Sequence, residues 1–321
     1  MKRLTCIIVL TVVGITLLTM GCTQKPEKVK IGYFPVSGDL AFFVGVEKGF
    51  FKEEGLDVEP VKFAESKEAM DAMLTGRVDV CAPMGFTTIF AVEQNQTGLL
   101  KIFLPGGEAE GHIVSHLIVK KDSNIRSIED LKGKKIGTYA GTAHRMWLEL
   151  LLKRLNLDPE KDVTIVQVAS NLLVPSLMAG QFDALYATEP YTTTALIKGM
   201  ARSLIDNPRS KYIINPFPSG SFVFTTKFWE EKPKIAMKIY QAMKKSIDFM
   251  RANELEAKMI LPKYTPIDEE IAKACDVHAI YEINDTTIGA IQELANMLFE
   301  YKLLEKKIEV KGMLLTDEDF K

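Results

Sequence analysis

Cysteine and histidine are scarce in this chain: only four of each occur among its 321 residues. No Cys-x-x-Cys pair is present, which excludes the usual zinc-ribbon and dithiol redox frameworks. Cys81 and Cys275 could pair, but buried free thiols are common and a large core needs no disulfide, so we predict unpaired cysteines. His112 and His116 are four residues apart in a segment that looks extended, about 13 Å along a strand. We therefore predict no metal site.

An excess of charge of either sign is also missing. Forty Lys and Arg residues nearly balance 42 Asp and Glu residues, for a net charge of −2. The charges are scattered along the chain, unlike the basic face of a nucleic-acid-binding protein, so we predict no nucleic-acid partner. A Gly-x-Ser-x-Gly elbow, a Walker-type phosphate loop and a His-Glu-x-x-His helix are absent as well. The sequence therefore predicts neither an enzyme nor a cofactor.

Long apolar runs are lacking beyond residue 22, whereas the N-terminus is apolar. Two basic residues precede an apolar stretch at 6–18, and Gly21-Cys22 follows it. This order is typical of a signal peptide, and its end is similar to a bacterial lipobox. We predict a signal peptide at 1–22, lipidation of Cys22 and a tether at 23–28. The protein would then be extracytoplasmic and anchored to the outer face of the cytoplasmic membrane; an ordinary signal peptide or an uncleaved anchor is the alternative.

Strand and helix patterns alternate from residue 28 onward. The predicted strands of the first part are 29–34, 56–63, 78–83 and 99–104, and the predicted helices are 41–54, 66–74 and 86–93. This βαβα order predicts an α/β protein with an open parallel sheet covered by helices. Because 321 residues are too many for one comfortable core, we expect two lobes.

The chain is expected to leave the first lobe through a loop at Gly106-Gly107 and to return with a strand at 221–226. A second βαβ series lies between these points, and the part after the returning strand is almost wholly helical. Two connections between rigid lobes form a hinge beside a cleft. The predicted lobes are residues 29–117 plus 221–321 for lobe 1 and residues 118–220 for lobe 2.

Two segments of the second lobe indicate a binding cleft. The strand 134–139 is followed by Gly141 and by Thr142, which stands where a helix N-cap is expected. Free backbone N–H groups at such a helix start can bind an anion, although Thr142 could serve only as a cap. A second strand, 183–188, ends at Glu189, and two strand ends that face one space suit a ligand.

Four segments together resemble the extracytoplasmic binding proteins of the nitrate, taurine, aliphatic sulfonate and thiamine-precursor importers. They are IGYFPVSGDLAFFVGVEKGFFKEEGLDV, LTGRVDVCAPMG, IEDLKGKKIGTYAGTAHRMWLELLL and LMAGQFDALYATEPY, and the resemblance covers residues 28–315. It implies a type II periplasmic-binding-protein fold with two α/β lobes. It also implies a monomer that delivers a small solute to an ABC permease and its ATPase. An extracytoplasmic enzyme or a ligand-sensor domain on the same fold is the alternative.

Strand carboxyl ends and helix starts give the predicted ligand-binding positions. They are Tyr33, Ser37, Asp39, Phe42, Gly85, Phe86, Thr87, Thr88, Gly141, Thr142, Ala143, His144, Glu189 and Tyr191. Asp39 and Glu189 favour a ligand with a hydrogen-bond donor or a positive group, whereas the Gly141 turn favours an acceptor. An amino-substituted acid or a heterocyclic precursor fits this mixture better than nitrate does, although Asp39 could equally be a turn residue.

Overall fold

The computed structural model describes residues 25–321. The predicted signal peptide, the lipidation of Cys22 and the first two residues of the predicted tether lie outside this range. Glu27 and Lys28, predicted as tether, belong instead to the first strand, because they pair in parallel with its neighbour in the sheet. Within residues 25–321, no helix combines the length and the apolar character needed to cross a bilayer.

Strands and helices alternate through most of the described chain. The strands are β1 (Glu27–Tyr33), β2 (Leu56–Lys62), β3 (Val80–Gly85), β4 (Leu100–Glu108), β5 (Ser115–Lys120), β6 (Lys134–Tyr139), β7 (Val163–Val168), β8 (Ala184–Thr188), β9 (Ala201–Asp206), β10 (Phe217–Thr225) and β11 (Ala279–Ile280). The helices are α1 (Leu40–Glu47), α2 (Phe50–Glu53), α3 (Ser66–Leu74), α4 (Phe86–Glu93), α5 (Thr142–Arg154), α6 (Leu173–Met178), α7 (Tyr191–Ile197), α8 (Pro208–Tyr212), α9 (Thr226–Glu231), α10 (Pro233–Ala252), α11 (Glu254–Lys258), α12 (Leu261–Tyr264), α13 (Glu269–Ala274) and α14 (Asp285–Glu300).

The sheet of lobe 1 is mixed, not parallel as predicted. Its strand order is β11-β4-β10-β3-β1-β2. β1 is parallel to β2 and β3, whereas β10 lies between β3 and β4 and is antiparallel to both. The predicted loop at Gly106-Gly107 is part of β4, where a Cβ on Gly107 would come within 2.1 Å of the carbonyl oxygen of Phe217. Glycine thus lets β10 approach β4 closely.

Lobe 2 contains the second sheet, with the order β7-β6-β8-β5-β9. β6 is parallel to β7 and β8, and β5 is antiparallel to β8 and β9. The chain therefore crosses between the sheets twice, at residues 109–114 and at residues 207–216. The predicted lobe boundaries, 117/118 and 220/221, fall inside β5 and β10, because side-chain periodicity does not show which sheet a strand joins.

Two helical predictions also differ from the structure. The predicted helix 41–54 is divided into α1 and α2 at Gly49, which has a φ of 77°. In the C-terminal part β11 is inserted before α14, the last α-helix ends at Glu300, and only short 3-10 helices at Lys311–Met313 and Asp317–Phe320 follow it. α1 packs on the long helix α10, and Phe42 and Phe43 are fully buried in this layer. Burial of such side chains stabilises lobe 1 by about 1.5–3 kcal/mol each.

Candidate functional site

A cavity of about 230 Å³ lies between the two lobes. Lobe 1 contributes the junction of β3 and α4 and the start of β10, and lobe 2 contributes the ends of β6 and β8 and the start of α5. Across this interlobe cavity the ring of Trp147 meets the ring of Phe217 edge-on, with centroids 5.1 Å apart. The cavity thus occupies the carboxyl ends of strands, where ligands bind in α/β proteins.

Several predicted positions line this interlobe cavity. They are Gly85, Phe86, Thr87, Thr88, Ala143 and His144. The structure thus brings the β3–α4 junction of lobe 1 and the first turn of α5 of lobe 2 to one space. Asp39 lines a smaller chamber of about 160 Å³ beside it.

Four other predicted positions lie outside both spaces. Tyr33 and Phe42 belong to the aromatic core of lobe 1, with ring centroids 5.9 Å apart. Ser37 is buried but lines neither space. Tyr191 packs edge-on against Tyr139, and only Tyr139 reaches the interlobe cavity. The aromatic side chains of α1 pack into the core of lobe 1. The position of Phe42 near a helix start does not show that its side chain points into this core.

The start of α5, where an anion site is predicted, differs from the prediction in its N-cap. The N-cap residue is Gly141, with a φ of 120°, so Thr142 is the first helical residue and not the cap. Both residues are exposed and neither lines the interlobe cavity. The carbonyl oxygen of Gly141 accepts a hydrogen bond of 2.9 Å from the side-chain amide of Gln167.

Glu189, predicted as a ligand-binding position, lines neither the interlobe cavity nor the smaller chamber. Its buried carboxylate accepts hydrogen bonds from the hydroxyls of Thr192 and Thr193 and lies 3.2 Å from Nε2 of His116. The other ring nitrogen of His116 lies 3.0 Å from Asp206. Burial alone lowers the pKa of His116, but the two carboxylates outweigh it and raise the pKa above its ordinary value. Glu189 thus belongs to a charged cluster inside lobe 2.

Arg209, which the sequence analysis did not select, is the charged group of the interlobe cavity. It lies on the five-residue helix α8 in the second crossing, and its guanidinium stands 4.7 Å from the centre of the Phe217 ring. Its Nε donates a 3.1 Å hydrogen bond to Glu108, whereas its buried Nη2 has no partner. Burial disfavours the charge, but Glu108 outweighs it and keeps the pKa of Arg209 above its usual value. In the sequence, Asn-Pro-Arg-Ser-Lys is typical of a solvated turn, so no local signal indicated this role.

Glu108 connects residues at the two crossings with the interlobe cavity. Its fully buried carboxylate accepts hydrogen bonds from the hydroxyl of Ser115, at the end of the first crossing, and from the backbone N–H of Ser210, in the second. The same carboxylate holds Nε of Arg209. Glu108 therefore holds the guanidinium through Nε and leaves Nη2 without a partner.

The smaller chamber contains the other unpartnered polar groups of the site. Asp39 is fully buried there, and its Oδ2 accepts a 2.7 Å hydrogen bond from the N–H of Phe34. Its Oδ1 has no partner, and burial raises the pKa of this carboxyl well above its usual value. His278 also lines the chamber, and burial lowers its pKa to about 3. Gly85 and Ser219 line both spaces, which therefore adjoin.

The remaining histidines do not form a metal site within residues 25–321, where no group of three potential ligands is found. His112 pairs with the carbonyl oxygen of Val277 at 3.0 Å. His144 lies at the accessible edge of the interlobe cavity and packs on Tyr139. Desolvation by the cleft walls, together with the nearby Arg209, lowers the pKa of His144 to about 4, so its ring is neutral at pH 7. Cys81 and Cys275 are both free and buried.

Residues 23–261 match the model of the NMT1-like family. The chain belongs to the NMT1-like family. This NMT1-like protein is similar to a putative aliphatic sulfonates-binding protein of Bacillus subtilis (strain 168), with 24% identity over 320 residues that cover 95% of this chain and 93% of the relative.

Solved structures show the same fold as this NMT1-like protein. The periplasmic aliphatic sulphonate binding protein SsuA from Escherichia coli superimposes with a TM-score of 0.75 at 17% identity, over 91% of this chain and 92% of that one. The predicted α/β fold of the type II periplasmic binding proteins is therefore confirmed. The desulfurization enzyme DSZB has a TM-score of 0.70 at 14% identity, over 92% of this chain and 97% of that one.

Proposed function

We propose that this protein is an extracytoplasmic solute-binding protein that captures a small organic acid between its lobes and delivers it to an ABC importer. The observation that carries the proposal is Arg209, which lines the interlobe cavity and whose buried Nη2 has no hydrogen-bond partner. A guanidinium that is charged, buried and short of one acceptor suits a sulfonate or carboxylate oxygen. The names of the sulfonate-binding relatives agree with this chemistry.

The position of Arg209 also supports a receptor that changes shape on binding. The residue is part of the second crossing, and the cavity that it lines has walls from both lobes. A ligand that touches both walls favours the arrangement in which they are close together. The importer would then recognise the closed form. Delivery by a monomer anchored through Cys22, after removal of residues 1–22, remains part of the proposal.

An enzyme on the same fold is the second candidate, because the fold also occurs in a desulfurization enzyme. The neutral ring of His144, which lines the same cavity as Thr87 and Thr88, is the group that would act as a general base there. The cavity-lining ring of His144 packs on Tyr139. We favour binding without turnover, so the solute should be recovered chemically unchanged after prolonged incubation with the protein.

The first prediction concerns Arg209. Arg209→Lys keeps a positive charge opposite Glu108 but lacks the second guanidinium nitrogen, so affinity for an alkanesulfonate should fall about tenfold to a hundredfold, as expected for one lost charge-assisted hydrogen bond. Isothermal titration calorimetry with butane-1-sulfonate and pentanoate measures the loss. Lys211→Gln, an exposed change on the same helix, serves as the control and should bind normally. Equal affinities of wild type and Arg209→Lys, both folded, would contradict the proposal.

A further inference from the structure

Three buried atoms of the chamber beside the interlobe cavity have no hydrogen-bond partner. Seven buried side-chain nitrogen or oxygen atoms without a partner occur in residues 25–321. Oδ1 of Asp39, Oγ of Ser219 and Nδ1 of His278 belong to residues that line this chamber, and a fourth such atom is Nη2 of Arg209 in the adjoining cavity. Because an unmet buried polar group costs about 1–3 kcal/mol, such clustering points to a bound polar partner.

The chemistry of the three atoms matches a primary ammonium group. One carboxylate oxygen of Asp39 is occupied by the N–H of Phe34, and the other is free to accept. The serine hydroxyl can also accept, and the neutral imidazole of His278 accepts through Nδ1 when Nε2 carries its proton. An ammonium group offers three donors and no acceptor, which is the complement of this set.

The shape of the chamber agrees with a small end group. Its volume is about 160 Å³. A Cβ on Gly38 would lie 3.2 Å from the imidazole of His278, and a Cβ on Gly220 would lie 2.7 Å from the carbonyl oxygen of Met84. Glycine at both positions therefore keeps the walls close together. Because Gly85 and Ser219 line both spaces, one solute can extend from the interlobe cavity into the chamber.

We propose that Asp39, Ser219 and His278 form a second subsite, which binds the amino group of a solute whose acid group binds Arg209. This inference rests on the proposed function and narrows the solute to an amino acid in the broad sense, an amino-substituted sulfonate or carboxylate. A bound ammonium group would provide the positive counter-charge for the buried carboxylate of Asp39. Burial raises the pKa of Asp39, and a cation beside its carboxylate would lower it.

The test compares two ligands that differ only at one end. Calorimetry measures the affinities of 3-aminopropane-1-sulfonate and of butane-1-sulfonate, in which a methyl group replaces the ammonium. The matched carboxylates are 4-aminobutanoate and pentanoate. Wild-type protein should bind the amino member of at least one pair about tenfold more tightly or better, the usual size of a hydrogen bond to a charged group.

Asp39→Asn tests the subsite without removing a structural contact. Its amide oxygen can still accept from the N–H of Phe34, while its NH₂ group faces the ammonium and repels it. The preference for the amino ligand should fall about tenfold, with butane-1-sulfonate affected less than about threefold. Ser219→Ala should reduce the preference by a smaller factor. Ser246→Ala, at a buried serine on α10 that does not line the chamber, is the control and should leave the preference unchanged. Melting curves show that each variant is folded.

The outcomes separate this inference from the proposed function. If wild type binds both members of each pair equally, or if Asp39→Asn and Ser219→Ala keep the full preference, the ammonium subsite is wrong. The proposed acid site at Arg209 is still supported in that case if Arg209→Lys lowers the affinity for both members of a ligand pair. If none of the four ligands binds to the folded wild-type protein, the proposed function fails for these acids, and the ammonium subsite is overturned with it.

Discussion

At the scale of single residues, hydrogen-bond partners and not residue type decide which buried ionisable groups are available to a ligand. Glu189 and Asp39 are both buried acidic residues predicted at the cleft, yet Glu189 has its hydrogen bonds filled inside lobe 2. Asp39 keeps one oxygen free. Arg209 is buried with one nitrogen free and was not predicted at all. Such differences depend on which partners surround a side chain, and a sequence does not state them.

His116 gives a prediction at this scale. Its pKa is raised above 6.5 in the folded protein, because Glu189 and Asp206 outweigh the effect of burial. Its protonated form therefore stabilises the fold below about pH 6.5, and this stabilisation is lost as the pH rises through the folded pKa. Melting temperatures measured from pH 5.5 to 9 should fall more steeply above about pH 6.5 in wild type than in His116→Gln. The same slope in both proteins would show that the histidine does not act in this way.

At the scale of elements, the two crossings are joined by side chains and not by a sheet. Glu108 receives hydrogen bonds from both crossings, and Nδ2 of Asn207 donates a 2.7 Å hydrogen bond to the carbonyl oxygen of Ala109. The short helix α8 holds Arg209 in the same network. The second crossing thus connects the two lobes and also contains Arg209, so under the proposed function an acid group bound there would act directly on the connection between the lobes.

Glu108→Gln tests this network. The change leaves the buried guanidinium of Arg209 without a counter-charge, so the free energy of unfolding should fall by about 3–5 kcal/mol. Affinity for butane-1-sulfonate should fall as well, because the guanidinium loses its fixed orientation. Chemical denaturation and calorimetry measure the two effects. Glu110→Gln, an exposed carboxylate in the first crossing, is the matched control and should change neither. A loss in Glu108→Gln no larger than in the control would contradict the network.

Elements whose apolar periodicity is local and clear were predicted to the residue. α3, α4 and β6 have the predicted bounds 66–74, 86–93 and 134–139. β10 was predicted four residues too short at its start, and its antiparallel position between β3 and β4 was not predicted. Pairing between strands more than a hundred residues apart leaves no mark on the periodicity of either strand, so both the order and the direction had to come from the structure.

At the scale of the whole molecule, binding of a solute should bring the two lobes closer together. A solute that contacts both walls of the interlobe cavity stabilises the closed arrangement, and at a hundred times its dissociation constant it should raise the free energy of unfolding by about 2.7 kcal/mol. Small-angle X-ray scattering should show a smaller radius of gyration with saturating 3-aminopropane-1-sulfonate than without it. Identical scattering curves, with binding shown by calorimetry on the same sample, would mean that the cavity fills without closure.

The sequence by itself determined the α/β class, the two lobes and a minor part of the cavity wall. Apolar periodicity, glycine at turns and the order of strands and helices are local properties, and they place the β3–α4 junction and the first turn of α5 beside a cleft. Only the tertiary structure decided which charges face that cleft. Arg209 and Glu108 are 101 residues apart and meet because two crossings run side by side. Asp39 and His278 share a chamber because β11 joins the first sheet. Such contacts arise from packing between distant segments, which no local pattern encodes.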